Sequence, residues 1–444
     1  MNFHLGKPIL VLLVIAVVAG VAAAFRPAPR KADLTVWLFA ESHHRTYLKL
    51  IPEFERKHNV TVNLSLLNGR AVVTRLGQMF MKDLHDPEIP DLVELEIGLA
   101  GRFFRPPVRE IGLLPLDDRL KASGWDEKIV KSRVATWSKE GIAFGMPHDL
   151  HPCVITYRHD LFTEAGVDLS KATTWPAFHE ACLKFEAYWR SRGQRYRHAM
   201  EMQESSADNF QQMLLQRGLN PIDTYGNVLL DKDPRFAQTL AFYGQMVGGP
   251  RKVTAQTSTG MVAFGKDVVE GNLCAMMTPD WRLTYVKLYA AGAAGKLRVM
   301  PLPVFDPSDA PTSTWGGTMI GITKASKRPD VAWALVEHLY FSEQGLRARR
   351  ESSEVLPPIK TLWADPYYHT ADPVFDNQKV GTMLTDLAGQ VPTRYVTAAT
   401  PIVNTFLNEA VAEAVRHADE HGSVGLDAAC EQWMAEVAGE LRVR

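Results

Sequence analysis

Strand-like and helix-like segments alternate through the first hundred residues, and this alternation restricts the fold more than any other feature. The segment LTVWLFA (34–40) is rich in β-branched and aromatic residues, and SHHRTYLKLIPEFERKH (42–58) carries apolar residues at helical spacing. The strand-like VTVNLSLL (60–67), a helical stretch near 71–84 and the strand-like DLVELEI (91–97) follow. A β-α-β-α-β series implies parallel strands with right-handed crossovers, so we predict an α/β fold.

The length of 444 residues predicts two or three domains. Within GIAFGMPHDLHPCVITYRHDLF (141–162), two prolines and two histidines precede a new apolar strand, which we interpret as a crossing between domains. The formal net charge of −1 gives no reason to expect nucleic acid or an anionic lipid surface as a partner. Neither a phosphate-binding loop nor a dinucleotide fingerprint is present, and we expect no cofactor.

The amino terminus carries the clearest local signal. Lys7 precedes 18 uncharged residues, PILVLLVIAVVAGVAAAF (8–25), which end in an A-x-A pattern. This is the layout of a secretory signal peptide, and its length is also close to the lower limit of a membrane-spanning helix. We therefore expect residues 1–24 to be a signal peptide or an N-terminal membrane anchor, residues 25–32 to be a linker, and the body to be exported to the periplasm or cell envelope.

The four cysteines lie far apart and follow no metal-ligand spacing. Three of them fall in apolar runs, which favours small buried side chains. A disulfide between distant elements is the alternative.

The stretch GNLCAMMTPDW (271–281) poses a specific question, because a tryptophan follows directly after a turn-like Thr-Pro-Asp. The short apolar run 273–277 predicts a buried strand, and Thr278 and Pro279 fit the N-cap and the first position of a helix. Trp281 then lies in the first helical turn at the carboxyl end of a strand. In open α/β sheets this edge faces the ligand crevice. The alternative is that the tryptophan packs under a neighbouring loop.

In their order along the chain, several segments resemble the carbohydrate-binding extracellular solute-binding proteins of ABC importers, of the maltose and multiple-sugar type. The segments that carry the resemblance are LTVWLFAESH, IPEFERKHNVTV, PDLVELE, GLLPLDD, EGIAFGMPHDLHPCVITYRHDLFTEAG, MVAFGKDVVEGNLCAMMTPDW, TWGGTMIGITKASKRPDVAWALVEHL and SSEVLPPIK. The resemblance implies a two-lobed periplasmic-binding-protein-like fold with a hinged cleft between the lobes. It places lobe one at 33–147 plus 282–350, and lobe two at 148–281 plus 351–444.

The same resemblance implies a function. The protein is expected to bind a sugar outside the cytoplasmic membrane and deliver it to the permease subunits of an ABC importer. It is expected to act as a monomer without catalysis and without a bound metal. The extra aromatics of the best-known maltose binders find no match here, which favours a mono- to short oligosaccharide.

The resemblance also indicates which residues contact the ligand. Trp281 is expected to stack on the apolar face of a sugar ring, while polar groups bond its hydroxyls. For Glu41 the alternative is a charge at a helix amino terminus, and for one of Asp208 and Asn209 it is helix capping. The complete set of candidate ligand-binding residues is Glu41, Ser42, His43, Glu96, Asp149, His151, Asp208, Asn209, Trp281, Trp315, Gly316, Gly317 and Tyr395.

Three rival hypotheses remain at this stage. An exported glycoside hydrolase would use two carboxylates, for which Glu41, Glu96, Asp149 and Asp208 are candidates. A metal site would require His43, His44, His148 and His151 to converge with nearby acids, although their spacing is poor for zinc. The third rival keeps the fold but binds a peptide, a polyamine or a sugar phosphate.

Overall fold

The computed structural model describes residues 32–256 and 260–443, together with Leu12, Val14 and Ile15. Apart from those three residues, the predicted signal peptide or anchor of residues 1–24 lies outside the described residues. Among the helices that the structure describes, none combines the length and the apolar character that crossing a bilayer demands.

Strands and helices alternate along most of the described chain. The strands are β1 (Leu34–Leu38), β2 (Val62–Leu66), β3 (Leu92–Glu96), β4 (Ser138–Lys139), β5 (Ile142–Ala143), β6 (Met146–Pro147), β7 (Cys153–Arg158), β8 (Met200–Glu201), β9 (Thr254–Ala255), β10 (Ala275–Pro279), β11 (Leu297–Pro301) and β12 (Thr318–Ile322). The α-helices are α1 (Glu41–His58), α2 (Gly69–Lys82), α3 (Ile97–Ala100), α4 (Asp117–Ser123), α5 (Trp125–Lys128), α6 (Lys131–Thr136), α7 (His159–Glu164), α8 (Trp175–Ser191), α9 (Asp208–Gln216), α10 (Arg235–Val247), α11 (Met261–Glu270), α12 (Asp280–Tyr289), α13 (Pro329–Tyr340), α14 (Glu343–Ser352), α15 (Val380–Ala388), α16 (Thr400–His421) and α17 (Leu426–Val443).

The first sheet has the strand order β2-β1-β3-β12-β6. As the β-α-β-α-β series predicted, β1 runs parallel to both β2 and β3. Strand β12 comes from much later in the chain and pairs antiparallel with β3 and with β6. Apolar side chains cover both faces of this sheet: Leu34, Val36 and Leu38 pack towards α1 and α13, and Val93 and Leu95 pack towards α2.

The second sheet has the order β11-β7-β10-β8-β9. Strand β7 is antiparallel to both β10 and β11, whereas β10 runs parallel to β8. One face is covered by a large apolar cluster that includes residues of α8, α10, α16 and α17, and the other face packs against α11, α12 and α15. The two strands β4 and β5 form a separate antiparallel pair. The molecule is therefore a two-lobed α/β protein with one five-stranded sheet in each lobe.

Three crossing segments connect the lobes. The segment 148–152 joins β6 to β7, the segment 302–317 joins β11 to β12, and the segment 353–359 follows α14. The first two pair with each other, because Cys153 N donates to Ser313 O over 3.2 Å and Pro152 and Thr314 form an isolated antiparallel bridge. The third pairs with the first, since Leu150 N donates to Leu356 O over 3.0 Å.

The predicted lobe boundary at 281/282 is wrong by some twenty residues. Strand β11 pairs with β7 of the second sheet, and Leu283 and Val286 of α12 pack in the same cluster as Phe264. The chain therefore stays in the second lobe until the crossing segment 302–317. The prediction missed this because it placed the crossing directly at the turn after β10.

All four cysteines are buried and free, which confirms their interpretation as small apolar side chains. Burial raises the pKa of the Cys153, Cys182 and Cys274 thiols above the ordinary value. Within the described residues, no cluster of histidine, cysteine and acidic side chains has the composition of a metal site.

Candidate ligand-binding cleft

A cavity of about 400 Å³ lies between the two lobes, beside the crossing segments. This volume is in the range of small-molecule sites, about 300–1,000 Å³. Most of the predicted residues line it, namely Ser42, His43, Glu96, Asp149, His151, Asp208, Trp281, Trp315, Gly316 and Gly317.

Three predicted residues do not line the cleft. The Glu41 side chain is 71% exposed and lies 3.9 Å from Arg45, because a helix turns by about 100° per residue and only its neighbours face inward. Asn209 is 2% exposed and donates to the sulfur of Met277, one helical position beyond the cleft-lining Asp208. Tyr395 borders separate grooves and donates its N–H to Asn220, while the adjacent Arg394 lines the cleft instead.

An aromatic wall forms one side of the cleft. Strand β10 ends at Pro279, and Trp281 lies in the first turn of α12, as predicted. The predicted helix start is one residue too early, because Thr278 is a buried strand residue and Pro279 is the N-cap. The helical i, i+4 spacing places Tyr285 beside Trp281, with ring centroids 5.8 Å apart, and Trp315 lies at the same distance from Trp281. The indole N–H of Trp281 donates to Trp315 O over 2.9 Å and thereby fixes the ring.

Gly316 and Gly317 belong to this wall for a steric reason. Both have a positive φ, of 88° and 150°. A Cβ at Gly317 would lie 2.4 Å from Arg133 Nη2, and a Cβ at Gly316 would lie 3.2 Å from Trp281 Nε1. The absence of a side chain at these two positions therefore lets the backbone approach Arg133 and Trp281 closely.

A chain of buried charges runs behind the aromatic wall. Arg133 Nη2 donates to Asp149 Oδ1 over 2.8 Å, and His151 Nε2 lies 3.1 Å from Asp149 Oδ2. The other ring nitrogen of His151, Nδ1, lies 2.5 Å from Asp280 Oδ1. Asp280 also accepts the backbone N–H groups of Trp281 and Leu356, both over 2.7 Å. This chain joins two of the crossing segments to the helix that carries Trp281.

The carboxylates on either side hold His151 as an imidazolium. Burial disfavours the charged ring, but Asp149 and Asp280 outweigh burial and raise the pKa of His151 to about 9. The hydrogen-bonding capacity of Asp149 is also largely used, because Thr318 N donates to its Oδ2 over 3.0 Å. In spite of burial, the charges of His151 and Arg133 and the hydrogen bonds from His148 and His151 keep the pKa of Asp149 well below its usual range. Asp149 and His151 therefore shape the cleft, and most of their hydrogen-bonding capacity is already used.

We predict that His151 makes the stability of the protein depend on pH. A folded pKa of about 9 against an unfolded value near 6.5 gives a stabilisation that is complete below about pH 6.5 and is lost as the pH rises through 9. The difference between the folded and the unfolded pKa corresponds to about 3 kcal/mol of stability. Denaturant unfolding measures the free energy of unfolding at pH 6 and at pH 10. Between these two pH values it should decrease by about 3 kcal/mol less in His151→Gln than in the unaltered protein. Equal decreases in both proteins would contradict the assignment.

A second polar network lies beneath the cleft around Glu94, which is fully buried. Its Oε1 accepts the hydroxyls of Tyr47 and Tyr340, each over 2.8 Å, and its Oε2 lies 2.9 Å from His43 Nδ1. Glu94 therefore orients His43, whereas Glu96, two residues later on the same strand, reaches the cleft itself. Glu96 is the one of these two that was predicted from the sequence to contact the ligand.

Glu96 lies in an acidic part of the cleft. Burial raises the pKa of Glu96, and the charges of Asp208 and Asp149 add to this effect. The Gly98 N–H, which donates to Glu96 Oε2 over 2.8 Å, and the nearby Arg394 act in the opposite direction. Carboxylates in this position can accept hydroxyl hydrogen bonds.

The sequence did not reveal several residues that line the cleft, chiefly Tyr285, Arg349 and Arg394. Tyr285 could have been found from its i+4 spacing to Trp281. Arg349 is one of three arginines within four residues of α14, and no local pattern tells which of them is buried. Arg394 belongs to a segment without regular structure, so only tertiary packing brings it to the cleft.

Residues 49–375 match the family described as bacterial extracellular solute-binding proteins. An arabinooligosaccharide-binding protein of Bacillus subtilis (strain 168) is 22% identical over 355 residues, which cover 76% of each protein. A protein with the same name from Halalkalibacterium halodurans is 22% identical over 327 residues, which cover 71% of this chain and 70% of the relative.

Solved structures show the same fold. The sugar-binding protein MalE of Xanthomonas citri superposes with a TM-score of 0.72 at 18% identity, covering 91% of this chain and 97% of its own. The galacto-N-biose/lacto-N-biose I-binding protein of Bifidobacterium longum, solved with lacto-N-biose, superposes with a TM-score of 0.70 at 15% identity. The match covers 94% of this chain and 99% of that protein. A binding protein of B. animalis subsp. lactis Bl-04, solved with β-1,6-galactobiose, superposes with a TM-score of 0.67 at 19% identity. The match covers 91% of this chain and 98% of that protein.

Proposed function

This chain belongs to the bacterial extracellular solute-binding proteins, and from this premise we propose that its cleft binds a carbohydrate and delivers it to an ABC importer. The carbohydrate is a monosaccharide or a short oligosaccharide. The protein acts outside the cytoplasmic membrane as a monomer, and the permease subunits of the importer receive the closed, loaded form.

The aromatic wall is the observation that carries this proposal. Trp281, Tyr285 and Trp315 meet along one side of a cavity whose other lining includes Glu96 and Asp208. A sugar ring has C–H bonds on its faces and hydroxyls around its edge, so it fits between flat aromatic surfaces and groups that accept hydrogen bonds. A polyamine has no comparable apolar ring face.

The size of the cavity and the relatives support a short ligand. About 400 Å³ is small for a long glucan chain. Two relatives are named for binding arabinooligosaccharides, and solved proteins of this fold hold the disaccharides galactobiose and lacto-N-biose. We propose a ligand of similar size.

We assign no reaction to the cleft. Retaining glycosidases need two carboxyl groups about 5–5.5 Å apart that can take up and give protons. Asp149 is fully engaged by Arg133, Thr318 and His151, so it lacks the freedom of such a group. The remaining carboxylates, Glu96 and Asp208, suit the binding of hydroxyls.

The proposal predicts that ligand both stabilises and closes the protein. A sugar at 100 times its Kd should stabilise the folded state by about 2.7 kcal/mol. The same sugar should decrease the radius of gyration in solution scattering, because the lobes rotate together about the three crossing segments. A panel of mono- and disaccharides, with peptides and polyamines for comparison, is screened by melting temperature, and each sugar that stabilises the protein is then measured by scattering.

Trp281→Ala at the same sugar concentrations is the control, because it removes a cleft surface and keeps the buried ion pairs of Asp149, His151 and Asp280. Stabilisation by peptides or polyamines with no response to any sugar would refute the carbohydrate proposal and leave the family assignment in place. An unchanged scattering profile at saturating sugar would refute the hinged closure.

A further inference from the structure

One buried cation of the cleft has no counter-ion. Arg349 of α14 is 4% exposed and lines the cavity. Its Nη1 donates to His148 O over 2.5 Å, while its Nη2 is buried without a hydrogen-bond partner. Within the part of the chain that the structure describes, no carboxylate forms an ion pair with this guanidinium. A buried, incompletely paired charge is costly, so its presence beside a cavity calls for a ligand group.

The other charges near the cleft already have partners. Arg133 is paired with Asp149, and His151 lies between Asp149 and Asp280. Arg394 forms no ion pair in the described part of the chain, but its Nη2 donates to Gln211 Oε1 over 3.0 Å, and the charges of Glu96 and Asp208 favour its own charge. The buried carboxylate of Glu94 is occupied by two tyrosine hydroxyls and His43. The weak contact between Arg349 and the Tyr340 ring, at 5.4 Å, does not supply a negative charge.

The amino terminus of α1 adds a second positive element at the same place. This helix has 18 residues, its N-cap is Ala40, and no side chain caps it. Ala40, Ser42 and His43 line the cavity, so the free N–H groups of the first turn lie at its wall. Helices α1 and α14 are in contact, since Thr46 Oγ1 donates to Ser352 Oγ over 2.9 Å.

The state of His148 agrees with a positive local field. Its ring stacks on that of His43 at 4.0 Å. Burial and the charge of Arg349 hold the pKa of His148 well below its usual value, so the ring stays neutral at physiological pH. Arg349 therefore has no competition from His148 for a negative group.

We infer that the ligand of this cleft is an acidic carbohydrate, and that Arg349 and the amino terminus of α1 receive its anionic group, a carboxylate or a phosphate ester. The inference rests on the proposed sugar-binding function and narrows it. A neutral hydroxyl could fill the vacant hydrogen bond of Nη2 but would leave the charge uncompensated. An anionic group fills this hydrogen bond and also compensates the charge. A guanidinium and helix N–H groups are the donors that oxyanions prefer. The aromatic wall and Glu96 remain available for the ring and its hydroxyls.

The test uses matched pairs of sugars and calorimetric titration of the whole exported body. The pairs are galactose with galacturonic acid, glucose with glucuronic acid, and galactobiose with digalacturonic acid; glucose 6-phosphate forms a separate arm. We expect the acidic member to bind at least about 10-fold more tightly than its neutral match. The uronic acids and the phosphate ester then show which anion is preferred.

Two variants connect this preference to Arg349. In Arg349→Gln, which keeps hydrogen-bond donors and removes the charge, affinity for the acid should fall by about 30-fold or more, with less than a 3-fold change for the neutral sugar. Arg349→Lys should retain the preference for the acid, and it serves as the folded comparison if the glutamine variant is unstable. Arg347→Gln, on the same helix with a side chain 77% exposed, should leave both affinities unchanged.

The outcomes separate the two proposals. Equal or tighter binding of the neutral member overturns the acidic ligand but preserves the sugar-binding function. The same holds if Arg349→Gln and Arg347→Gln weaken binding of the acid equally. Binding of neither member of any pair counts against both proposals.

Discussion

Asp280→Ala is expected to lower the free energy of unfolding by about 3–5 kcal/mol. The carboxylate accepts a charged hydrogen bond from His151 and two backbone N–H groups, those of Trp281 and Leu356. Alanine leaves these donors buried without partners, and the imidazolium keeps only Asp149 as its counter-charge. Denaturant unfolding at pH 6, where His151 is protonated in the folded and largely so in the unfolded protein, measures the loss.

A surface acid provides the matched control. Asp330 also accepts a charged hydrogen bond, from Arg119 over 2.7 Å, but its side chain is 88% exposed. Asp330→Ala should cost about 1 kcal/mol or less. If Asp280→Ala costs no more than this surface variant, the buried charge chain does not hold the crossing segments.

Trp281→Ala is expected to weaken sugar binding by roughly 30- to 150-fold. If the ligand covers about half of the roughly 150–250 Å² of the side chain, the lost contact is worth roughly 2–3 kcal/mol. Calorimetric titration with the sugar identified by the screen measures the affinity. Trp281→Phe should lose much less, because it keeps a ring face.

Trp363 allows binding to be separated from stability. Like Trp281, it is partly buried, and its indole N–H donates to a backbone carbonyl, that of Pro357 over 3.1 Å. Unlike Trp281, it does not line the cleft. Trp363→Ala should lower the melting temperature and leave the affinity unchanged. A stable Trp281→Ala protein with unaltered affinity would show that the tryptophan has a packing role alone.

Local patterns were sufficient to predict the elements of the first lobe. The strands β1, β2 and β3 and helices α1 and α2 have bounds within a few residues of those predicted, because each carries its own period and is covered by apolar neighbours. The position of Trp281 in a first helical turn followed from the Thr-Pro-Asp that precedes it. The helix nevertheless starts after Pro279, because Thr278 pairs with Val154 in the sheet.

Long-range pairing was beyond local patterns. Strand β11 could belong to either lobe by its sequence, and only its pairing with β7 decides. At the site, the family resemblance indicated Asp149 and His151, but it did not show that they bond to each other. Arg349 could not be separated from its neighbours, since burial of one arginine in a polar helix depends on what packs against it.

The place of β12 in the first sheet has a consequence for synthesis of the chain. This strand lies between β3 and β6, yet it ends at Ile322, while β6 ends at Pro147. At about 5–20 residues per second, a ribosome needs roughly 9–35 s to make the intervening 175 residues. During this time β6 has no partner and the sheet stays incomplete. The first sheet therefore cannot be completed until almost three quarters of the chain has been made.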